Sequence, residues 1–190
     1  MNTRACILAM LAIGLTACNS MPIYESQENK ALALPTAELH LDQFYEVHHE
    51  NGRIYMFSDQ DTYLSFLKTG ETAYMVADIG AGPQGQTLVF GLPAAEKELG
   101  TEAQVVKLYR QEYPLSAAGF YGELVSDNRY YVFDNWEEMT QVRQMGTPAY
   151  FFAEIGGGPE GKSVFYVLTK EQKDQRPETL IAQFKQVHQL

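Results

Sequence analysis

Cysteine and positive charge are both scarce in this sequence. Its 190 residues include two cysteines, and 14 lysines and arginines stand against 24 aspartates and glutamates, which gives a formal net charge of −10. Affinity for nucleic acid depends on lysine and arginine neutralising phosphates, so this balance argues against a nucleic-acid partner. The aromatic content of 12% is too high for a disordered acidic chain. The composition therefore predicts a folded body with a hydrophobic core.

Long hydrophobic runs are also missing. The first 20 residues contain one cation, Arg4, and then an apolar run over residues 5–15. A helix that crosses a bilayer needs about 20 apolar residues, so this run is too short to span a membrane. A short apolar run behind a single cation at the N-terminus is typical of a secretory signal peptide.

The end of this run resembles the lipobox of bacterial lipoproteins, in the residues Leu15-Thr16-Ala17-Cys18. The resemblance implies a signal peptide of residues 1–17, cleavage before Cys18, and attachment of a diacylglycerol and an N-acyl chain (palmitate) to Cys18, with no other cofactor. Asn19 stands where an Asp favours retention in the inner membrane, so the resemblance implies the outer membrane. We therefore expect an envelope protein that faces the periplasm or the cell surface.

Lipidation at Cys18 would leave the mature chain without a free thiol, because Cys6 leaves with the signal peptide. A disulfide, a thiolate metal site and a cysteine nucleophile are then all excluded. Residues 18–36 are polar and contain two prolines, which predicts a lipid-anchored tether.

An internal repeat organises the rest of the chain. Residues 44–92 align without a gap to residues 120–168 at a constant offset of 76, with 15 identities in 49 positions. The residue pattern of each copy predicts two strands, then a helix that ends at Gly70 or Gly146, and then two more strands. The predicted fold is α+β, with two tandem ββαββ units (residues 37–112 and 113–190) packed as a pseudo-symmetric pair. A short helix over residues 94–99, a strand over residues 105–110 and a C-terminal amphipathic helix after Pro177 complete the prediction.

Two glycine-rich segments match nucleotide-binding patterns. Residues 80–85 match G-x-G-x-x-G, and residues 156–163 match G-x-x-x-x-G-K-[ST]. A phosphate cradle needs a helix after the glycines, whereas an apolar, strand-like run follows here, so no nucleotide partner is predicted. These segments are interpreted as structural turns, built by Gly80, Gly82, Pro83, Gly85, Gly156, Gly158, Pro159 and Gly161.

Four residues are candidates for binding. His48 and His49 are adjacent, so from a regular strand they would point to opposite faces and could not chelate one metal ion. The ungapped alignment places Leu124 and Val125 at these positions of the second copy. Asp78 and Glu154 occupy the one acidic position that both copies share. If these two carboxylates met, they could bind a cation or act as an acid–base pair. Otherwise each would cap the turn that follows it.

No residues suggest an enzyme. The serines lie in no G-x-S-x-G motif, and His40 and His188 are isolated in the sequence, so no catalytic residue is predicted.

The segment from Gly52 to Tyr74 resembles the hairpin–helix core of YHS-type metal modules and of periplasmic copper-chaperone lipoproteins. The metal-binding cysteines of those modules are absent here, so no metal site is predicted. Thioethers bind soft metals such as Cu(I) but also fill cores. The candidate thioether ligands are Met56, Met75, Met139 and Met145.

These observations predict a lipid-anchored envelope protein with a binding or structural role and no catalysis. The alternative is a carrier of a soft metal or a small ligand in the cleft between the repeats. The expected partners are the membrane, through the lipid anchor, and an envelope protein or a small ligand.

Overall fold

The structure is a computed structural model that describes residues 42–112, 114–116 and 119–190. The predicted signal peptide, Cys18 and the tether lie outside the described residues. Within the described part, no helix is long and apolar enough to cross a membrane.

The described residues form eight strands and four α-helices. The strands are β1 (Asp42–His48), β2 (Arg53–Phe57), β3 (Met75–Asp78), β4 (Thr87–Gly91), β5 (Phe120–Ser126), β6 (Arg129–Phe133), β7 (Phe151–Glu154) and β8 (Ser163–Val167). The helices are α1 (Gln60–Thr69), α2 (Gln104–Tyr109), α3 (Trp136–Met145) and α4 (Glu178–His188). The fold is therefore mixed α/β, with the last helix near the C-terminus.

All eight strands belong to one sheet, in the order β3-β4-β2-β1-β5-β6-β8-β7. The two central strands, β1 and β5, pair in parallel, so the two halves of the chain share one continuous sheet. The pairings also fix the strand directions: β1, β3, β5 and β7 run one way, and β2, β4, β6 and β8 run the other way. Consequently the β1–β2, β3–β4, β5–β6 and β7–β8 connections all lie at the same end of the sheet.

Two hydrophobic cores cover the two faces of the sheet. On one face, α2 and α3 pack on side chains such as Phe90 and Phe133; on the other face, α1 and α4 pack on side chains such as Tyr45 and Tyr166. We call these the α2/α3 face and the α1/α4 face. The helices α1 and α3, which arise from corresponding segments of the repeat, thus lie on opposite faces.

Both of these helices have sequence-encoded ends. Asp59 accepts a hydrogen bond from the Thr62 amide at the start of α1, and Asn135 accepts one from the Glu138 amide at the start of α3. Gly70 and Gly146 end the helices in the left-handed conformation, at φ of 73° and 79°.

The strand predicted over residues 105–110 is wrong, because residues 104–109 form α2. The helix predicted over residues 94–99 is likewise replaced by two 3-10 turns, Ala94–Glu96 and Gly100–Glu102. A tertiary contact explains the helix: the Glu96 carboxylate accepts a hydrogen bond from the Gln104 amide at the start of α2. Burial of Val105, Val106 and Leu108 on the α2/α3 face then outweighs the β-propensity of the two valines.

The constant offset of 76 fails in the first strand of each repeat. Val47 pairs with Tyr55 in the first hairpin, and Leu124 pairs with Tyr131 in the second, which gives an offset of 77 between β1 and β5. The reason is the shorter second turn, in which Asp127 and Asn128 alone, both at positive φ, connect β5 to β6. With this one-residue gap, Glu46 and Glu123 occupy corresponding positions.

Candidate binding site

Glu123 is a fully buried carboxylate at the centre of the α1/α4 face. Its oxygens accept hydrogen bonds from the hydroxyls of Tyr63 on α1 (2.7 Å) and Tyr121 on β5 (2.6 Å). The Nε2 atom of His188, on α4, lies 2.9 Å from the same carboxylate. Glu123 therefore connects the central strand to both helices that cover this face.

Glu46 is its counterpart on the α2/α3 face and is 2% exposed. His48 Nε2 lies 2.8 Å from Glu46 Oε1, and Arg143 Nε, on α3, lies 2.6 Å from Glu46 Oε2. The Arg143 guanidinium also lies over the rings of Tyr109 and Phe44, at 4.7 and 5.9 Å from their centroids. A charged side chain thus fills the space between α2, α3 and the sheet.

Buried tyrosines surround Glu123. Burial, together with the nearby charge of Glu123, raises the pKa of Tyr63 and of Tyr121 well above its ordinary value. The same two causes, in the same order, raise the pKa of Tyr45. These phenols are neutral at physiological pH. Tyr63 and Tyr121 donate hydrogen bonds to Glu123, whereas Tyr45 contributes packing to this face.

The two adjacent histidines point to opposite faces of the sheet. His48 contacts Glu46 on the α2/α3 face, whereas the ring of His49 contacts those of Tyr55 and Phe66 on the α1/α4 face, at centroid distances of 5.7 and 5.8 Å. The strand register also changes which residues of the second repeat correspond to these two histidines. They are Val125 and Ser126, and not Leu124 and Val125 as the ungapped alignment gives.

Asp78 and Glu154 do not meet. They end β3 and β7, which are the first and last strands of the sheet. Asp78 is exposed, whereas Glu154 accepts hydrogen bonds from Tyr166 (3.3 Å) and Arg176 (3.1 Å). A joint cation site or acid–base pair made of these two carboxylates is therefore incompatible with the sheet order.

The glycine-rich segments, with Pro83 and Pro159, connect antiparallel strands, β3 to β4 and β7 to β8. Gly80, Gly85, Gly156 and Gly161 have φ between 69° and 81°, where a side chain would be strained. Gly82 and Gly158 instead allow a close approach: a Cβ atom on Gly158 would lie 2.9 Å from Val164 Cγ2 and 3.0 Å from the Lys162 carbonyl oxygen. No helix N-terminus follows either loop, since β4 and β8 begin there.

An open cavity of about 560 Å³ lies where the two halves of the sheet meet, at the end that carries the strand connections. We call it the junction cavity. Its apolar lining comes from β1, α1 and β5, and its polar lining from the turns and the β7–β8 loop. The apolar residues are Val47, Phe66, Leu67 and Val125; the main polar ones are His48, His49, Asp127 and Lys162.

A second groove, of about 310 Å³, runs between α1 and α4 and shares Leu67 and Lys162 with the junction cavity. Lys162 Nζ lies 2.7 Å from the Glu160 carboxylate, and this contact lowers the pKa of Glu160. The lysine is therefore a rim cation with one anionic neighbour, and both cavities contact it.

Methionines and metal-binding groups are dispersed in the described part of the chain. Met56 and Met139 are fully buried in the α2/α3 core, whereas Met75 and Met145 are more than half exposed. No cluster of three or more histidine, cysteine, aspartate or glutamate side chains suited to a metal ion occurs among the described residues.

Comparison with family models, with curated proteins and with solved structures finds no match to this chain.

The sequence-based reading missed Glu46, Glu123, Arg143 and the role of His188. One signal was present: a single gap in the hairpin turn aligns Glu46 with Glu123, so that both repeats carry an acid at the same position of their first strand. The partners carried no local signal, because His188 and Glu123 are 65 residues apart.

Proposed function

We propose that this chain is a lipid-anchored protein of the bacterial cell envelope, attached to the outer membrane through Cys18 and facing the periplasm or the cell surface, with a binding or structural role rather than a catalytic one. The observation that carries the proposal is the lipobox-like sequence Leu15-Thr16-Ala17-Cys18 behind a short apolar run. The net charge of −10 would not hold the protein at anionic lipids, so the acyl chains must supply the attachment.

Substitution of the anchor tests this proposal. The variant Cys18→Ser should leave the membrane fraction and be recovered in the soluble fraction, and mass spectrometry of the wild-type N-terminal peptide should show acyl chains on Cys18. Cys6→Ser is the matched control, because it removes a cysteine within the signal peptide and should leave attachment unchanged. Equal membrane retention of Cys18→Ser and wild type after a carbonate wash would refute the lipoprotein assignment.

The body is proposed to consist of two tandem ββαββ units related by an approximate twofold axis parallel to the strands. Three facts support this arrangement. The sheet order reads as two matching halves outward from β1 and β5. The helices α1 and α3 lie on opposite faces, as such an axis requires. Glu46 and Glu123 occupy corresponding positions and also point to opposite faces.

A second candidate function is that of a carrier for a small ligand, and the junction cavity favours it. Residues of both repeats line this cavity, which supports it as the site of this candidate function. Leu67 on α1 and Arg143 on α3 occupy aligned positions but differ in what they do. Leu67 lines the cavity, whereas Arg143 reaches across to Glu46. An apolar wall with a polar rim suits a small molecule with an apolar body and a polar end.

Filling the cavity tests this candidate. Leu67→Arg should abolish binding of an amphiphilic fluorescent probe such as anilinonaphthalene sulfonate, whereas Ser65→Arg, on the exposed side of the same helix, adds the same charge and should not. Equal probe binding by both variants would exclude the cavity as the site. Metal analysis of the purified mature protein tests the soft-metal form: about one equivalent of copper would favour it over the small-ligand form.

A further inference from the structure

Two acidic residues, one from each repeat, lie beside the junction cavity. Glu50 belongs to the turn between β1 and β2, and Asp127 belongs to the turn between β5 and β6. Because β1 and β5 are parallel neighbours in the sheet, these two turns lie side by side. The offset of 77 found for these strands also makes Glu50 and Asp127 corresponding residues of the two repeats. We call them the turn acids.

The charges of the turn acids are not compensated by the described part of the chain. Both residues line the cavity, and both are exposed. Their carboxylates form no ion pair or side-chain hydrogen bond with another described residue. Lys162 is the only lysine or arginine among the described residues that line the cavity, and it is already paired with Glu160 at 2.7 Å.

The two histidines of the cavity do not offset this negative charge. At Nδ1, His49 accepts a hydrogen bond from the Asn51 amide, which a protonated ring cannot do, so this ring is neutral. His48 Nε2 lies 2.8 Å from the buried Glu46 carboxylate, so a charge on His48 is paired with an anion. Neither ring therefore supplies a free cation to the cavity.

Helix α1 adds to the negative potential of the cavity. Its C-terminal end, where the backbone carbonyls carry a partial negative charge, reaches the cavity at Gly70. Lys68, in the last turn of this helix, lines the second groove instead. The arginines that follow the two turns, Arg53 and Arg129, are exposed and do not line the cavity. The polar rim is thus anionic, and an anionic rim attracts a cation.

The opposite face of the sheet shows what fills the aligned position in the second repeat. Arg143 of α3 aligns with Leu67 of α1. Its alkyl stem and guanidinium fill the space between α2, α3 and the sheet, where the guanidinium pairs with Glu46. On the α1/α4 face, Leu67 is shorter and uncharged, and the cavity lies beside it. At the aligned position, the chain itself thus accommodates a cation on an apolar stem.

We propose that the junction cavity binds an amphiphilic cation, a molecule with an apolar chain and a protonated amine. The apolar chain lies against Val47, Phe66 and Leu67, and the amine lies between the turn acids. This inference rests on the small-ligand form of the proposed function and names the class of its ligand. The net charge of −10 also draws cations towards the protein.

Two dansyl probes of opposite charge test the proposal. Dansylcadaverine ends in a protonated amine, and dansyl-aminohexanoic acid ends in a carboxylate on a chain of similar length. In fluorescence titrations of soluble Cys18→Ser protein at low salt, we expect the amine probe to bind about tenfold more tightly. The double variant Glu50→Gln, Asp127→Asn should bring the two affinities to within about twofold. Salt at about 1 M should do the same, because it screens charges over about 3 Å.

A second double variant, Asp61→Asn, Asp78→Asn, is the matched control. It removes the same net charge from two exposed acids that lie outside the cavity lining, so the preference for the amine probe should remain. Circular dichroism checks that both double variants are folded. Equal loss of the preference in the two double variants would overturn the assignment to the turn acids, because net charge alone would then explain it.

The remaining outcomes separate this inference from the function on which it rests. Equal affinity for the two probes, with both lost in Leu67→Arg, would overturn the cationic class and keep the cavity as the site. Binding of neither probe would refute the carrier function and this inference together. The lipid anchor is tested independently, by fractionation of Cys18→Ser. The titrated protein retains residues 19–41, so binding of the probe would also show that this segment does not fill the cavity.

Discussion

His188 Nε2 lies 2.9 Å from Glu123 Oε2, and the two side chains are 3% and 0% exposed. This contact joins the last turn of α4 to the central strand of the sheet. A buried carboxylate that loses one of its donors retains its desolvation cost without the compensating interaction.

We expect His188→Ala to lower the free energy of unfolding by about 2 to 4 kcal/mol. His188→Gln keeps a donor of similar reach and should cost less. Urea denaturation followed by circular dichroism measures both changes, and Gln186→Ala, on the exposed side of the same helix, is the control. If His188→Ala were no more destabilising than Gln186→Ala, the histidine would not hold α4 to Glu123.

The glycine loops lead to a second prediction. Gly158 has a φ of −100°, so any residue can adopt its backbone conformation, but a Cβ atom there would be 2.9 Å from Val164 Cγ2 and 3.0 Å from a backbone oxygen. Gly158→Ala should therefore destabilise the protein by about 1 to 3 kcal/mol through overpacking.

Lys162→Ala is the control for this loop. Its partner Glu160 is largely exposed, so loss of the ion pair should change stability much less than Gly158→Ala does. A similar loss of stability for both variants, measured by thermal denaturation, would show that the close approach at Gly158 is not a constraint.

Local sequence signals account for the helices α1 and α3 and for the strands of the two hairpins. Their caps, glycine stops and alternating residues all lie within a few positions of the element that they define. Residues 104–109 show where such reasoning ends. Two adjacent valines favour a strand, but the cap comes from Glu96, eight residues upstream, and the burial comes from the sheet.

The candidate site was less accessible from sequence. The constant offset of 76 is correct for the helix and for the last two strands of each repeat, but it is wrong for the first strand. The sequence does not reveal this error, because the offset of 76 also aligns Phe44 with Phe120 and Tyr45 with Tyr121 by chance. Asp78 and Glu154 correspond in sequence, but corresponding residues near the end of each repeat lie at opposite edges of the sheet. Correspondence between repeats therefore does not indicate proximity.

Tyr45 gives a prediction on pH. It is fully buried, its hydroxyl has no hydrogen-bond partner among the described residues, and burial raises its pKa above the ordinary value. In the unfolded chain a tyrosine loses its proton above pH about 10, whereas folded Tyr45 keeps it. The stability that depends on this proton is fully present below pH about 10 and is lost as the pH rises.

We expect the unfolding free energy of the wild type to fall above pH about 10, and Tyr45→Phe to reduce the slope by about 1.4 kcal/mol per pH unit. At pH 7, Tyr45→Phe should be neutral or stabilising, because it removes an unpaired buried hydroxyl. Urea midpoints measured from pH 8 to 11 provide the test. A slope unchanged by the substitution would mean that Tyr45 ionises in the folded protein.

The last prediction concerns the dependence of each half of the chain on the other. Tyr63, from the first half, donates a hydrogen bond to Glu123 in the second, and Arg143, from the second half, pairs with Glu46 in the first. Trp136 of α3 also packs edge-on against both Phe44 and Phe120, with ring centroids 5.2 and 5.3 Å apart. Each half thus completes the core of the other, on both faces of one sheet.

The two halves should therefore unfold in a single transition. Phe57 is fully buried on the α1/α4 face, whereas the single tryptophan, Trp136, packs on the opposite face in the other half of the chain. Phe57→Leu should lower stability by about 1 to 2 kcal/mol and shift the fluorescence transition of Trp136 to the same lower urea concentration as the circular dichroism transition. Phe133→Leu, the corresponding change in the second half, should do the same. The opposite result would be that Phe57→Leu leaves the tryptophan transition where it is and splits the circular dichroism curve into two transitions. That result would show that the halves fold as independent units.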